Sequence, residues 1–103
     1  MAIGLLTVTV GHGTAAAFNS TRLPCTAISV QAASGNSAAV YIGDSNTLAS
    51  TSTGIYIPAP ATNVPAAPIQ FSQFNGGNPI NLAEWFADSG SASQKLIVLY
   101  QIT

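Results

Sequence analysis

The chain has 103 residues and a mass of 10.4 kDa, enough for one domain, and 48% of it is hydrophobic, enough to fill a core. Only 5% is charged (Arg22, Lys95, Asp44, Glu84 and Asp88), against the ~25–35% of an ordinary soluble surface. This mixture excludes a disordered chain, and a net charge of −1 offers no basic footprint for nucleic acid or an anionic membrane.

From the N-terminus, the residues around Ile3–Val10 alternate, with Leu6, Val8 and Val10 on one face and Thr7 and Thr9 on the other. The segment lacks a positive leader region, so it reads as a strand and not as an export signal. Gly11-His12-Gly13 and Ala15-Ala16-Ala17 read as a loose tether behind it. Ala27–Ala33 predicts a second strand with Ile28, Val30 and Ala32 on one face, ended by a hairpin-like turn at Ser34-Gly35-Asn36. Ala38–Gly43 follows with Val40 and Ile42 opposed to Tyr41, and Gly43-Asp44-Ser45-Asn46 closes it. Ile55 and Ile57 flank Tyr56, and Ile69 and Phe71 flank Gln70. Between these two runs, the prolines from Pro58 to Pro68 predict an extended connection or an edge.

Asn75-Gly76-Gly77-Asn78-Pro79 breaks the chain again. Asn81-Leu-Ala-Glu84 then has the spacing of a capping box, with Asn81 accepting from the third amide and Glu84 reaching back, which predicts one helical turn. The final strand, Lys95–Ile102, is apolar on both faces, with Leu96, Val98, Tyr100 and Ile102 on one and Ile97 and Leu99 on the other. It must be central, or bury its second face against another subunit. Short alternating runs with regular turn signals predict an all-β fold, a single β-sandwich or jelly-roll-like domain. The expected organisation is an N-terminal strand or arm over residues 1–20 and a sandwich over 21–103. No apolar run reaches the ~20 residues that cross a bilayer.

Candidate chemistry is thin. Gly43-Asp44-Ser45 resembles the nucleophile block of the GDSL-type esterases, but that family places its histidine three positions after an aspartate near the C-terminus. Here the one histidine is His12, between two glycines, with no metal-ligating companion. Glu84 and Asp88, four apart, could share one face of a helical turn as paired carboxylates, yet capping explains Glu84 and a turn explains Asp88. Asp44 brings too few carboxylates for calcium. Asn19-Ser-Thr21 is a glycosylation sequon that matters only on an exported protein. Tyr41, Tyr56, Trp85 and Phe86 could form a sugar-stacking platform or belong to core and contacts. Cys25 stands alone, so it reads as a small buried hydrophobe. The expectation is a non-enzyme with no catalytic residues, no cofactor and no metal.

The run Leu23-Pro-Cys-Thr-Ala-Ile-Ser-Val-Gln-Ala32, then Asn36, Ala39-Val-Tyr-Ile-Gly-Asp44 and Gly54-Ile-Tyr-Ile-Pro58 resembles small tailed-phage virion proteins. These read as an apolar strand ending in Q-A, an Asn-containing turn, V-Y-I-G-D and a later G-I-x-L-P. They close with segments like Leu82-Ala-Glu-Trp-Phe-Ala-Asp88 and Lys95–Ile102. The resemblance covers about residues 21–103. It departs where the usual tight P-G is replaced by the long Pro58–Pro68 connection.

The resemblance implies a β-sandwich subunit of a phage particle, a capsid cement or decoration protein assembled in the host cytoplasm. Its expected partners are the major capsid protein and itself as a homotrimer, with no nucleic acid and no membrane. A tail or fibre component, or a carbohydrate- or host-binding β-module, is the alternative. The interface candidates are Leu6, Val8, Val10, Trp85, Phe86, Ile97 and Leu99. Of the adjacent aromatics, Trp85 is expected in the core and Phe86 in a subunit contact. The segment from Ala2 to Val10 is expected either to pair with another sheet edge or to fold back as an ordinary first strand.

Overall fold

The computed structural model describes residues 3–45, 54–61, 66–72 and 79–102. The Asn75–Asn78 break, Asn46 and residues 62–65 of the proline connection lie outside them. Two sheets pack face to face. The first runs β1 (Ile3–Thr9), β10 (Lys95–Ile102), β4 (Pro24–Ala32), β7 (Ile69–Ser72), with β8 (Ile80–Asn81) also beside β4. The second runs β2 (Gly11–His12), β9 (Phe86–Ser89), β5 (Val40–Gly43), β6 (Ile55–Ile57), with β3 (Ala16–Ala17) also on β9.

The pairs are nested. Innermost, β5 pairs β6; then β4 pairs β7 and β8, β3 pairs β9, and outermost β1 pairs β10, all antiparallel. A nested ribbon folded over so that alternate pairs fall in different sheets is a jelly roll. The period-two pattern selects the inner face of each strand. Val8 of β1, Leu96 and Val98 of β10, and Ile28, Val30 and Ala32 of β4 are buried from the first sheet. Val40 and Ile42, Ile57 and Ala87 meet them from the second. Phe18, Cys25 and Leu82 fill the end near the one helical element among the described residues, a 3-10 turn at Leu82–Glu84.

Three local expectations change. Ser34-Gly35-Asn36 does not close a hairpin, because β4 and β5 lie in different sheets. Asn36 instead mimics a strand residue. Its Oδ1 accepts from the Lys95 amide, and its Nδ2 donates to the Lys95 carbonyl, both at 2.8 Å. The chain thereby stays tied to β10 while it crosses over. Gly11–Ala17 is not a loose tether: β2 and β3 both pair with β9, and the Gly13 amide donates to Asp88 Oδ1 at 3.0 Å. Asn81 does cap the helical turn, but its Oδ1 accepts from Ala83 and, from the chain entering the neighbouring strand β4, from Leu23, both at 3.1 Å. Glu84 is exposed.

The N-terminal segment takes the second of its two expected forms. Ile3–Thr9 pairs along its whole length with β10 of its own sheet. Residues 3–20 contribute strands to both sheets and Val8, Val10 and Phe18 to the core.

Candidate functional site

Strand β10 is central in its sheet, between β1 and β4, yet among the described residues Leu99 on its second face stays exposed. The register sets Leu5 directly across from Leu99 and Thr7 across from Ile97, with Ile3 one step further along the same face. Ile3 is 67% exposed, Leu5 66% and Leu99 47%, while Ile97 is half-buried. On β4 the neighbours are neutral and polar: Ser29 lies beside Leu99, and Gln31 beside Ile97. The one charge on this face, Lys95, sits at its far end, opposite Thr9. An open groove of about 440 Å³ continues across it, with Ile3 and Leu99 at one side and Ser29, Gln70 and Ser72 at the other. Apolar side chains placed without charge on an outer sheet face mark a contact surface more often than a solvated one.

The sequence-derived candidates divide. Leu99 and Ile97 lie on this face. Val8 and Val10 point into the core, so they are not available as contacts, and Leu6 is half-buried where the core meets the free edge of β1. Ile3 and Leu5 were missed, although the parity that sets Thr7 and Thr9 outward also sets them outward.

Trp85 packs against the core, its ring centroid 4.9 Å from that of Phe71 and 6.2 Å from that of Phe18. Phe86 stands on the outer side of β9, half-buried, paired with Gly43 and Ala17. Full burial makes an aromatic truncation cost ~3–5 kcal/mol. Trp85 is only partly buried, so Trp85→Ala is expected to lower stability by about 2 kcal/mol, and Phe86→Ala by about 1 kcal/mol or less. Chemical denaturation of the two variants checks the order.

The expected four-ring platform is split between faces. Tyr41 and Tyr56 lie side by side on the outer face of the second sheet, their centroids 5.6 Å apart and edge-on, with Tyr56 58% exposed. Trp85 is on the opposite side of that sheet, against the core.

The remaining chemistry-bearing residues do not converge. Ser45 follows β5 at the end next to Phe86, whereas His12 pairs with Ser89 at the other end of β9. Asp88 is not a turn former. It lies buried within β9, its Oδ1 accepting from Gly13 at 3.0 Å and from Ser89 at 2.8 Å, so it shares no helical face with Glu84. Among the described residues, no group of three or more His, Cys, Asp or Glu side chains could hold a metal ion. Asn19 turns its amide back onto Thr21.

Cys25 is a free thiol, fully buried, and burial pushes its pKa up from 9.0. The folded state therefore holds this proton more tightly than the unfolded chain does. The stabilising contribution is complete below pH 9.0 and falls as pH rises through the folded value. The thiol is expected to resist alkylation in native buffer at neutral pH and to react once denaturant is added, read by mass spectrometry.

No family model matches the chain, and neither a curated protein nor a solved structure does.

Proposed function

We propose that this protein is a non-enzymatic structural subunit of a tailed-phage virion, a capsid cement or decoration protein that stabilises the shell by contacts with the major capsid protein. The observation that carries the reading is the uncharged apolar strip of Ile3, Leu5 and Leu99 on the outer face of the first sheet. Such a strip is a liability on a free monomer and an asset on a subunit that spends its life against a neighbour. The pattern of residues 21–103 supports the same reading. The jelly roll is compatible with it but does not choose it, since shell subunits, lectins and cupins share that architecture.

The test is co-sedimentation with shells assembled from the major capsid protein encoded beside this gene. The wild-type protein is expected to travel with the shells. Leu99→Glu, which leaves the ladders of β10 intact, is expected to stay folded and remain in the supernatant. A gene lying among tail genes, or wild-type protein that never binds shells, would overturn the assignment to the capsid.

A carbohydrate-binding module is the second reading, favoured by the exposed Tyr56 beside Tyr41. Glycan-array binding lost on Tyr56→Ala, with shell binding absent, would select it.

A further inference from the structure

We propose that β1 pairs edge to edge with β1 of a second copy, antiparallel about a two-fold axis normal to the sheet, joining the first sheets of two molecules into one. The inference does not depend on the virion assignment; it follows from the free edges of the roll. An edge strand exposes unpaired amides and carbonyls, and folded proteins blunt such edges with short strands, prolines, charges or bulges. Three edges here are blunted. Strand β6 has three residues and runs into Pro58 and Pro60. Beside β9 the edge is broken into β2 and β3, two residues each and opposite in direction. The far edge of the first sheet is divided between β7, which follows Pro68, and β8. Among the described residues, the one long edge is β1, with seven residues paired in unbroken register and without charge or proline.

The register fixes which of its groups face outward. The Val10 amide donates to the Gln94 carbonyl at 3.0 Å, and the Ala33 amide to the Lys95 carbonyl at 3.1 Å. Strand β10 therefore turns its even-numbered residues toward β1 and its odd-numbered ones toward β4. By the same alternation, Gly4, Leu6 and Val8 bond to β10, while the amides and carbonyls of Ile3, Leu5, Thr7 and Thr9 point away from the molecule.

One antiparallel register uses all four. It sets Ile3 against the second copy's Thr9 and Leu5 against its Thr7, so every outward donor finds an outward acceptor. A slip of one residue would oppose outward groups to groups already bonded to β10, and a slip of two would leave an end unpaired. The same register sets Leu6 against Leu6 across the axis. Leu6 is the half-buried residue where the core reaches the free edge, so the second copy completes the core there. Apolar and β-branched side chains face each other along the junction, and no like charges meet. The strand is thus complementary to its own reverse, which is the condition for an isologous contact. A closed two-fold takes the place of the trimer expected from the sequence.

The outward amide of Thr7 gives a selective test. Proline is tolerated on an edge strand where its missing N–H faces solvent. Thr7→Pro therefore removes a donor from the junction and none from the β1–β10 ladder. Light scattering of the full chain should give twice 10.4 kDa for the wild type at micromolar concentration and 10.4 kDa for Thr7→Pro, with the circular dichroism spectrum unchanged. Should the proline variant unfold, the double variant Leu5→Lys, Thr7→Lys, whose charges would face each other across the axis, replaces it with the same expectation. Concentration-dependent slowing of amide exchange at Ile3, Leu5, Thr7 and Thr9, with Leu6 and Val8 protected at every concentration, would also support the pairing. A wild-type protein that stays monomeric, forms a trimer, or remains dimeric in a folded edge variant would overturn it.

Discussion

Replacing Gln94 by leucine should lower the unfolding free energy by about 3–5 kcal/mol, although the two side chains are close in size. Gln94 is 3% exposed and uses both ends of its amide. Its Oε1 accepts from the Ser37 and Ala38 amides at 2.8 and 3.0 Å, and its Nε2 donates to the Ala92 carbonyl at 2.9 Å and to Ser37 Oγ at 3.3 Å. Leucine would strand two backbone amides and a carbonyl. A buried group left without a partner costs ~1–3 kcal/mol, whereas the bonds themselves contribute less because water competes for them. The bond to Ala92 also spans Ser93, which sits at φ +67, a conformation that a non-glycine residue holds only under constraint. Gln94→Glu keeps the acceptor and loses the donor, so it should fall between wild type and leucine. Urea denaturation of the three proteins gives the order. A leucine variant within about 1 kcal/mol of wild type, well below the combined cost of several stranded groups at ~1–3 kcal/mol each, would show that the clasp is dispensable.

That clasp also marks where the sequence stops being informative. The inner faces were legible because burial on a strand imposes period two, and Leu6, Val8, Ile28, Val30, Val40, Ile42, Leu96 and Val98 all fall on the side their alternation assigns. The central place of β10 is one of the two readings that its two apolar faces allowed, the other being a second face buried against another subunit. Asn36, Gln94 and Asp88 were not legible. Polar residues between strands look alike in a sequence, whether they end a strand in water or bind a main chain more than fifty positions away. The sheet switch between β4 and β5 was hidden for the same reason. A short Gly-Asn turn suits a hairpin, and only the partners of Asn36 on Lys95 show that the chain is crossing instead.

The candidate contact face was half legible. Leu99 was found because it is apolar on the wrong side of a strand. Ile3 and Leu5 were passed over because the inward set of β1 drew the attention. Counting from Thr7 and Thr9 would have placed both outside. The edge of β1 was legible in part: an uncharged, alternating first strand without proline suggests pairing with another sheet edge, but which strands end a sheet is set by the topology and not by any one strand.

Gly11→Ala should destabilise the protein by about 3 kcal/mol or more, through overpacking and a lost bond to a buried charge together. A methyl at Gly11 would lie 1.9 Å from the Thr14 carbonyl oxygen and 3.0 Å from the Ala16 nitrogen, both main-chain atoms. No side-chain rotation relieves that overlap, so the loop from Gly11 to Ala16 must open. Opening it moves the Gly13 amide away from Asp88, the one carboxylate the structure buries among its described residues. A charge-assisted bond to a buried group is worth more than a neutral one, and the carboxylate would keep only its bond to Ser89. Two companion variants separate the causes. Gly13→Ala meets no atom within 4 Å, but it must hold φ +83, and should cost about 1 kcal/mol from the backbone alone. Gly35→Ala also meets nothing within 4 Å and carries no positive φ, so it should be close to neutral. Thermal unfolding should therefore rank Gly11→Ala far below Gly13→Ala, with Gly35→Ala near wild type. If Gly11→Ala melted with Gly35→Ala, the packing of β2 and β3 against β9 would not be what holds the N-terminal segment in the roll.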